Sequence, residues 1–141
     1  MKKTLLTGVA ALLLATGAAS AQHDPHFYLP VTINGVETWM MVDTGATYVS
    51  LSFDDARRIG LNIDVLPKNG IADTANGKRP TSIFMLPKII IDSAFVLHDI
   101  MVSCCVTEQS LLGMSALNKL GGVTFDNGWM TIKPPKNGKN Q

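Results

Sequence analysis

The run Trp39-Met40-Met41-Val42-Asp43-Thr44-Gly45-Ala46-Thr47 constrains this chain more than any other. It sets one carboxylate at the end of an apolar strand, inside a tight Thr-Gly turn. Three apolar residues lead into Asp43 and carry it toward a water-poor interior. Gly45 lets the backbone turn back and leaves room for a second group to approach. Thr44 and Thr47 add hydroxyls within reach of the turn. A carboxylate so placed costs free energy unless it is paired, hydrogen-bonded or protonated. Catalysis is one reason for keeping it.

The tripeptide Asp-Thr-Gly alone would fit a surface turn in which the Asp accepts a local backbone bond. The flanks argue against that. Ala46-Thr47-Tyr48-Val49-Ser50-Leu51 returns at once to a strand pattern, and a surface turn needs no hydrophobic walls on both sides. With these flanks, Val42-Asp43-Thr44-Gly45-Ala46-Thr47 resembles the catalytic signature of the retroviral-type (retropepsin-like) aspartic proteases. A second signature of that family is two apolar residues and a glycine before a short helix. Leu111-Leu112-Gly113-Met114-Ser115-Ala116-Leu117 matches it in order and position. Thr74-Ala75-Asn76-Gly77-Lys78 sits where the family has its flap hairpin. The likeness runs from Phe27 to Lys133 and is greatest to the bacterial, exported, single-domain branch.

The resemblance implies roles. Asp43 is the catalytic carboxylate. Thr44 bonds across a dimer axis, and Gly45 helps position substrate and carboxylate. Ala46 fits the pattern less strictly. Asn76 and Gly77 form a flap that closes over substrate. Leu111, Leu112 and Gly113 wall the site and pack behind the Asp loop. Peptide hydrolysis of this type needs two carboxylates about 3 Å apart that share one proton. The chain has one Asp-Thr-Gly and is too short for two lobes. A dyad therefore requires a homodimer with one Asp43 from each chain. No cofactor and no metal are expected. The expected activity is an aspartic endopeptidase. The alternative is a non-catalytic envelope domain of the same fold that grips an extended peptide, since fold does not prove activity.

Other features bound the setting. Lys2 and Lys3 precede an uncharged apolar stretch from Leu5 to Ala18, and Ala19-Ser20-Ala21 is an A-x-A cleavage site. Residues 1–21 therefore read as a signal peptide. The expected location is the periplasm or the exterior, with no stable membrane span after cleavage. An uncleaved segment would instead anchor the chain. Residues 22–133 form one domain, and 134–141 read as a disordered tail. Lys and Arg total 12 against 11 Asp and Glu, so no basic field exists for nucleic acid.

Strands are expected at Phe27–Ile33, Val36–Val42, Thr81–Leu86, Lys88–Asp92, Phe95–Val102, Val123–Phe125 and Trp129–Ile132. Asn34-Gly35 and Asp126-Asn127-Gly128 mark hairpin turns. Ile63 to Ile71 reads as an irregular strand. Short helices are expected after Ser52, which suits an N-cap, and from Met114 to Leu120. Asp54-Asp55 reads as a solvated acidic helix start. Many short strands with one or two brief helices give an all-β class, a closed barrel of the acid-protease type. The two cysteines, Cys104 and Cys105, are adjacent. On a strand they would point to opposite faces rather than pair with each other, one buried as a small apolar residue and the other exposed, where an oxidising compartment would let it pair with a second chain. His23 and His26 flank Asp24-Pro25 without a convincing metal pattern, and His98 stands alone on a strand.

Overall fold

The computed structural model describes residues 26–135. The signal-peptide reading at 1–21 and most of the tail lie outside the described residues. Among the described residues nine strands occur: β1 (Tyr28–Ile33), β2 (Val36–Val42), β3 (Val49–Leu51), β4 (Gly70–Thr74), β5 (Gly77–Ile91), β6 (Phe95–Cys104), β7 (Leu111–Leu112), β8 (Gly122–Asp126) and β9 (Trp129–Lys133). Two short helices accompany them, α1 (Phe53–Arg58) and α2 (Met114–Leu117).

The main sheet has the order β1-β2-β7-β3-β6-β5-β4, and β1 also pairs with β5. That last pairing, Val31 with Ile91 and Thr32 with Ile90, joins the two ends. Six strands thus form a closed ring, and β4 hangs from β5. Closure leaves few open edges. The inner face follows from simple alternation. Val31 and Ile33 on β1, Met40 on β2, Val49 and Leu51 on β3, Ile89 and Ile91 on β5 and Leu112 on β7 are all at most 1% exposed. Each such side chain contributes about 1.5–3 kcal/mol relative to exposure.

Turns fall where the sequence puts residues tolerant of left-handed backbone. Asn34 has φ 52° between β1 and β2, and Asn127 has φ 47° between β8 and β9. These are the conformations that two-residue hairpin loops require. Ser52 caps α1 by accepting from the Asp55 N–H at 3.2 Å. The β8–β9 hairpin is a separate two-stranded sheet. Met130 ties it to the core, and the Phe125 ring lies 5.1 Å from that of Phe27.

Four expectations are corrected. Residues 63–71 are not one irregular strand. Ile63–Val65 makes a 3-10 turn, and pairing begins only at Gly70. Thr81–Leu86 and Lys88–Asp92 are not separate strands, because β5 runs through Pro87. The proline lacks an N–H but is exposed, and the register with β6 continues unshifted, Leu86 opposite Ile100 and Lys88 opposite His98. Strand pairing does not resume at Ala46 but at Val49. Cys104 and Cys105 are joined as a disulfide. Cys105 leaves strand geometry, with φ 83°, and this brings the two sulfurs to the same side.

Candidate active site

Asp43 stands one residue past the end of β2. Met41 and Val42 pair in parallel with Leu111 and Leu112. The Met41 N–H donates to the Ser110 carbonyl and the Asp43 N–H to the Leu112 carbonyl, both at 3.1 Å. The ladder therefore extends to Asp43, and the strand alternation extends with it. Met41 and Asp43 share the outer face, while Met40 and Val42 turn to the core.

A turn follows directly, closed by the Ala46 N–H donating to the Asp43 carbonyl at 3.2 Å. The Gly45 N–H donates to Asp43 Oδ1 at 2.8 Å. This bond fixes the carboxylate beside the turn. The glycine is needed for closeness rather than for a left-handed φ, since a Cβ there would stand 3.1 Å from Asp43 Oδ1. Thr44 is exposed, and its hydroxyl makes no hydrogen bond among the described residues. The Thr47 hydroxyl, expected at the turn, does not bond there either. Instead the Thr47 carbonyl accepts from the Ser115 N–H at 2.9 Å.

Gly113 explains why the second signature ends in glycine. A Cβ at this position would collide with the Tyr48 carbonyl oxygen and lie 2.7 Å from the Ala46 carbonyl oxygen. The Met114 N–H donates to that Ala46 carbonyl at 2.8 Å. The Asp43 turn thus rests directly on the backbone that opens α2. Leu112 is fully buried beneath it, and Leu111 is half-buried on the outer face.

Asn76 and Gly77 sit at the tip of the β4–β5 hairpin. Thr74 Oγ1 donates to the Gly77 carbonyl at 2.8 Å and accepts from the Asn76 N–H at 3.2 Å. Gly77 takes φ 97°, a backbone conformation that glycine adopts without steric cost. Lys78 and Asp73 pair across the hairpin at 2.7 Å. Residues 75–80 are all exposed, and β4 pairs with β5 alone. Within one chain the structure joins Asp43, Gly45, Ala46, Leu111, Leu112 and Gly113. Among the described residues, no hydrogen bond links the hairpin tip to them.

The bonding roles of three supporting residues escape a sequence reading. Ser115 Oγ donates to the Met101 carbonyl at 2.7 Å and accepts from the Val49 N–H at 2.9 Å. It fastens the end of the Asp43 loop to α2 and β6. Ser110 is 1% exposed. Its hydroxyl donates to Asp55 Oδ2 at 2.6 Å and accepts from the Ser52 N–H at 3.0 Å. Asp55 also takes Arg58 Nη1 at 2.7 Å, and Arg58 Nη2 donates to the Glu37 carbonyl at 3.0 Å. Asp54 is exposed, as expected of a solvated helix start, but Asp55 is half-buried and bonded. It links α1 to the residue before β7 and, through Arg58, to β2. Serine before an apolar pair and Asp after an N-cap are weak signals alone.

No group of three or more His, Cys, Asp or Glu among the described residues could hold a metal ion. A surface cleft lined by Phe53, Arg57, Leu61, Asn62, Ile63 and Asp64 contains none of the site residues.

A six-strand ring with an Asp-Thr-Gly turn seated on a Leu-Leu-Gly strand defines the retropepsin-like class. Residues 29–119 match the family described as "gag-polyprotein putative aspartyl protease", and the chain belongs to that family. It is similar to the crystal structure of a retropepsin-like aspartic protease from Rickettsia conorii. The TM-score is 0.68 and the identity 29%, over 77% of this chain and 91% of that one. An uncharacterized protein of Rickettsia prowazekii is 33% identical over 103 residues, 73% of this chain and 45% of that protein. An uncharacterized protein encoded in the cobV 5′ region of Sinorhizobium sp. is 36% identical over 98 residues, 67% of this chain and 42% of that protein. The chain thus spans less than half the length of these two relatives.

Proposed function

We propose that this chain is one half of an aspartic endopeptidase and that two copies each contribute Asp43 to a shared-proton dyad. The observation that carries this reading is the seating of Asp43. Its N–H bonds to Leu112, its Oδ1 accepts from Gly45, and its side chain stands on the outer face. Such a carboxylate is held in place yet open to a second chain and a substrate. Trp39, two alternations back on the same face, is 55% exposed, as suits a surface that a partner or peptide covers. The unbonded hydroxyl of Thr44 is free to bond across the axis.

In the proposed reaction the ionised Asp43 takes a proton from water. The water oxygen attacks the scissile carbonyl carbon while the protonated Asp43 of the second copy hydrogen-bonds to the carbonyl oxygen and transfers its proton. The tetrahedral diol then breaks at the C–N bond: one carboxyl gives its proton to the leaving nitrogen, and the ionised carboxyl takes a proton from a diol hydroxyl as the new carbonyl forms. Both carboxyls return to one shared proton. The β4–β5 hairpin, with Asn76 and Gly77 at its tip, closes over the peptide and excludes water. Leu111 lines the floor of the cleft, and Leu112 and Gly113 support the loop. We place the enzyme in the periplasm or outside the cell on the strength of the leader pattern at 1–21.

The test is digestion of a peptide library at acidic pH with wild type and Asp43→Asn side by side. Loss of cleavage by several orders of magnitude in a folded variant supports the reading. Binding of peptides without cleavage by wild type would favour a non-catalytic envelope domain.

A further inference from the structure

We propose that the Cys104–Cys105 disulfide is a redox switch: oxidised, it holds the Asp43 turn in its working place, and a dithiol reductant releases it. This rests on the endopeptidase reading and adds a means of regulation to it.

The switch stands on one backbone angle. Cys104 ends β6 and is fixed there, because its carbonyl accepts from Thr81 Oγ1 at 2.9 Å. Cys105 takes φ 83°, a conformation that costs free energy in residues other than glycine. The disulfide requires it, since a strand φ would send the two joined sulfurs to opposite faces. Once the bond is cut, the side chains no longer need that angle. Rotation about the Cys105 N–Cα bond leaves the Cys105 N–H in place and swings every residue after it.

Next in the chain is the bend 105–109, which leads to Ser110 and β7. A single peptide group clamps both ends of this bend. The Leu51 carbonyl accepts from the Cys105 N–H at 2.9 Å, and the Ser52 N–H donates to Ser110 Oγ at 3.0 Å. The Ser110 carbonyl accepts from the Met41 N–H, and the Leu112 carbonyl from the Asp43 N–H. A shift of the bend therefore pulls on Ser110 and loosens the ladder that ends at Asp43. Idle hydroxyls make the second arrangement accessible. Ser82 lies opposite Cys104, so the two share a face, and Ser82 is 1% exposed. Its Oγ has no partner among the described residues, nor does Oγ1 of Thr107 in the bend. Reduction gives Cys104 an S–H that can donate to Ser82, and movement of the bend opens Thr107 to water.

Cys105 is half-buried and Cys104 only 1% exposed, so the thiolate of the dithiol attacks Cys105 Sγ. The Cys104 sulfur leaves and takes a proton. The second thiolate of the reductant then attacks its own linked sulfur, releases Cys105 to be protonated, and closes the reductant's disulfide. Along the proposed route of export, the chain is off in a reducing cytosol and on in an oxidising exterior.

The experiment compares the full chain oxidised and reduced with dithiothreitol, alongside Cys104→Ala/Cys105→Ala. Mass after alkylation reports the thiols, hydrogen exchange reports the Met41 and Asp43 amides, and peptide cleavage is followed at acidic pH. Reduction should speed exchange at both amides by about tenfold. It should slow cleavage by at least about tenfold, and reoxidation should restore both. The variant should match the reduced chain and ignore the dithiol; reduced wild type carries the test if the variant does not fold. Unchanged exchange and rate in a chain with both thiols alkylated overturn the proposal. So does a bond that dithiothreitol cannot cut in the folded chain, or a reduction that melts the whole domain, which makes the bond a staple. If neither form cleaves any peptide, the endopeptidase reading fails, and exchange alone still decides whether the bond controls the Asp43 turn.

Discussion

The Asp43 N–H donates to the Leu112 carbonyl at 3.1 Å, which makes the carboxylate an extension of a parallel two-strand ladder. The geometry of the candidate site is thereby coupled to strand β7 and to everything that fixes it.

Gly113→Ala should show this coupling. The added methyl meets the carbonyl oxygens of Tyr48 and Ala46, which belong to backbone and cannot swing away. We expect destabilisation of about 2–4 kcal/mol and loss of peptide cleavage at temperatures where the variant stays folded. Thermal melts alongside initial rates check both. A variant with wild-type melting and rate would show that the turn does not depend on this close approach.

Asp55 and Ser110 should behave as a pair. Ser110→Ala removes a donor to a half-buried carboxylate, and Asp55→Ala leaves the Ser110 hydroxyl hydrogen without its acceptor. Each change should cost about 1–3 kcal/mol. Their effects should be non-additive in a double-mutant cycle, because they share one hydrogen bond. Denaturant titration of the four chains measures the coupling. Strict additivity would contradict the network.

How far the sequence reaches is clear from these residues. Val36–Val42 and the Asn34-Gly35 turn are legible because alternation and turn chemistry are local. Gly113 is legible through its motif, although its cause, a collision with Tyr48, is not. Asp55 looks solvated in sequence because its partner Ser110 comes from a distant segment. The long β5 is hidden by Pro87, whose exposed position makes it tolerable. Cys104 and Cys105 look opposed until Cys105 adopts a left-handed φ. In each case a non-local contact or a single backbone angle overrides the local pattern.

Asp92 should make stability depend on pH. Burial holds its carboxyl above the usual carboxylate range. The folded state therefore binds this proton more tightly than the unfolded state does. The resulting stability is fully present below the ordinary carboxylate range and is lost as pH rises through the raised value. Asp92→Asn removes that loss, and Asn tolerates the φ of 51° at this position. The variant should melt higher than wild type at neutral pH, with the gap shrinking in acid. Melting curves across the acid range decide it, and a variant that melts lower at neutral pH would contradict the assignment.

Gly77→Val should affect turnover more than folding. Its φ of 97° is strained for a β-branched residue, at about 1–2 kcal/mol. The hairpin tip is exposed, so the global fold should survive. A raised KM and lowered kcat with little change in melting would mark the hairpin as part of the site. Unchanged kinetics would remove it.

The most direct measurement is subunit mixing. Wild type is titrated with folded Asp43→Asn chains under exchange conditions, and cleavage is followed per wild-type chain. If two copies each supply one Asp43, a mixed pair has one working carboxylate and is inactive. A threefold excess of variant should then lower activity to roughly a quarter. Activity that stays constant throughout the titration would show that a single chain holds the whole catalytic machinery, and the two-chain site would be wrong.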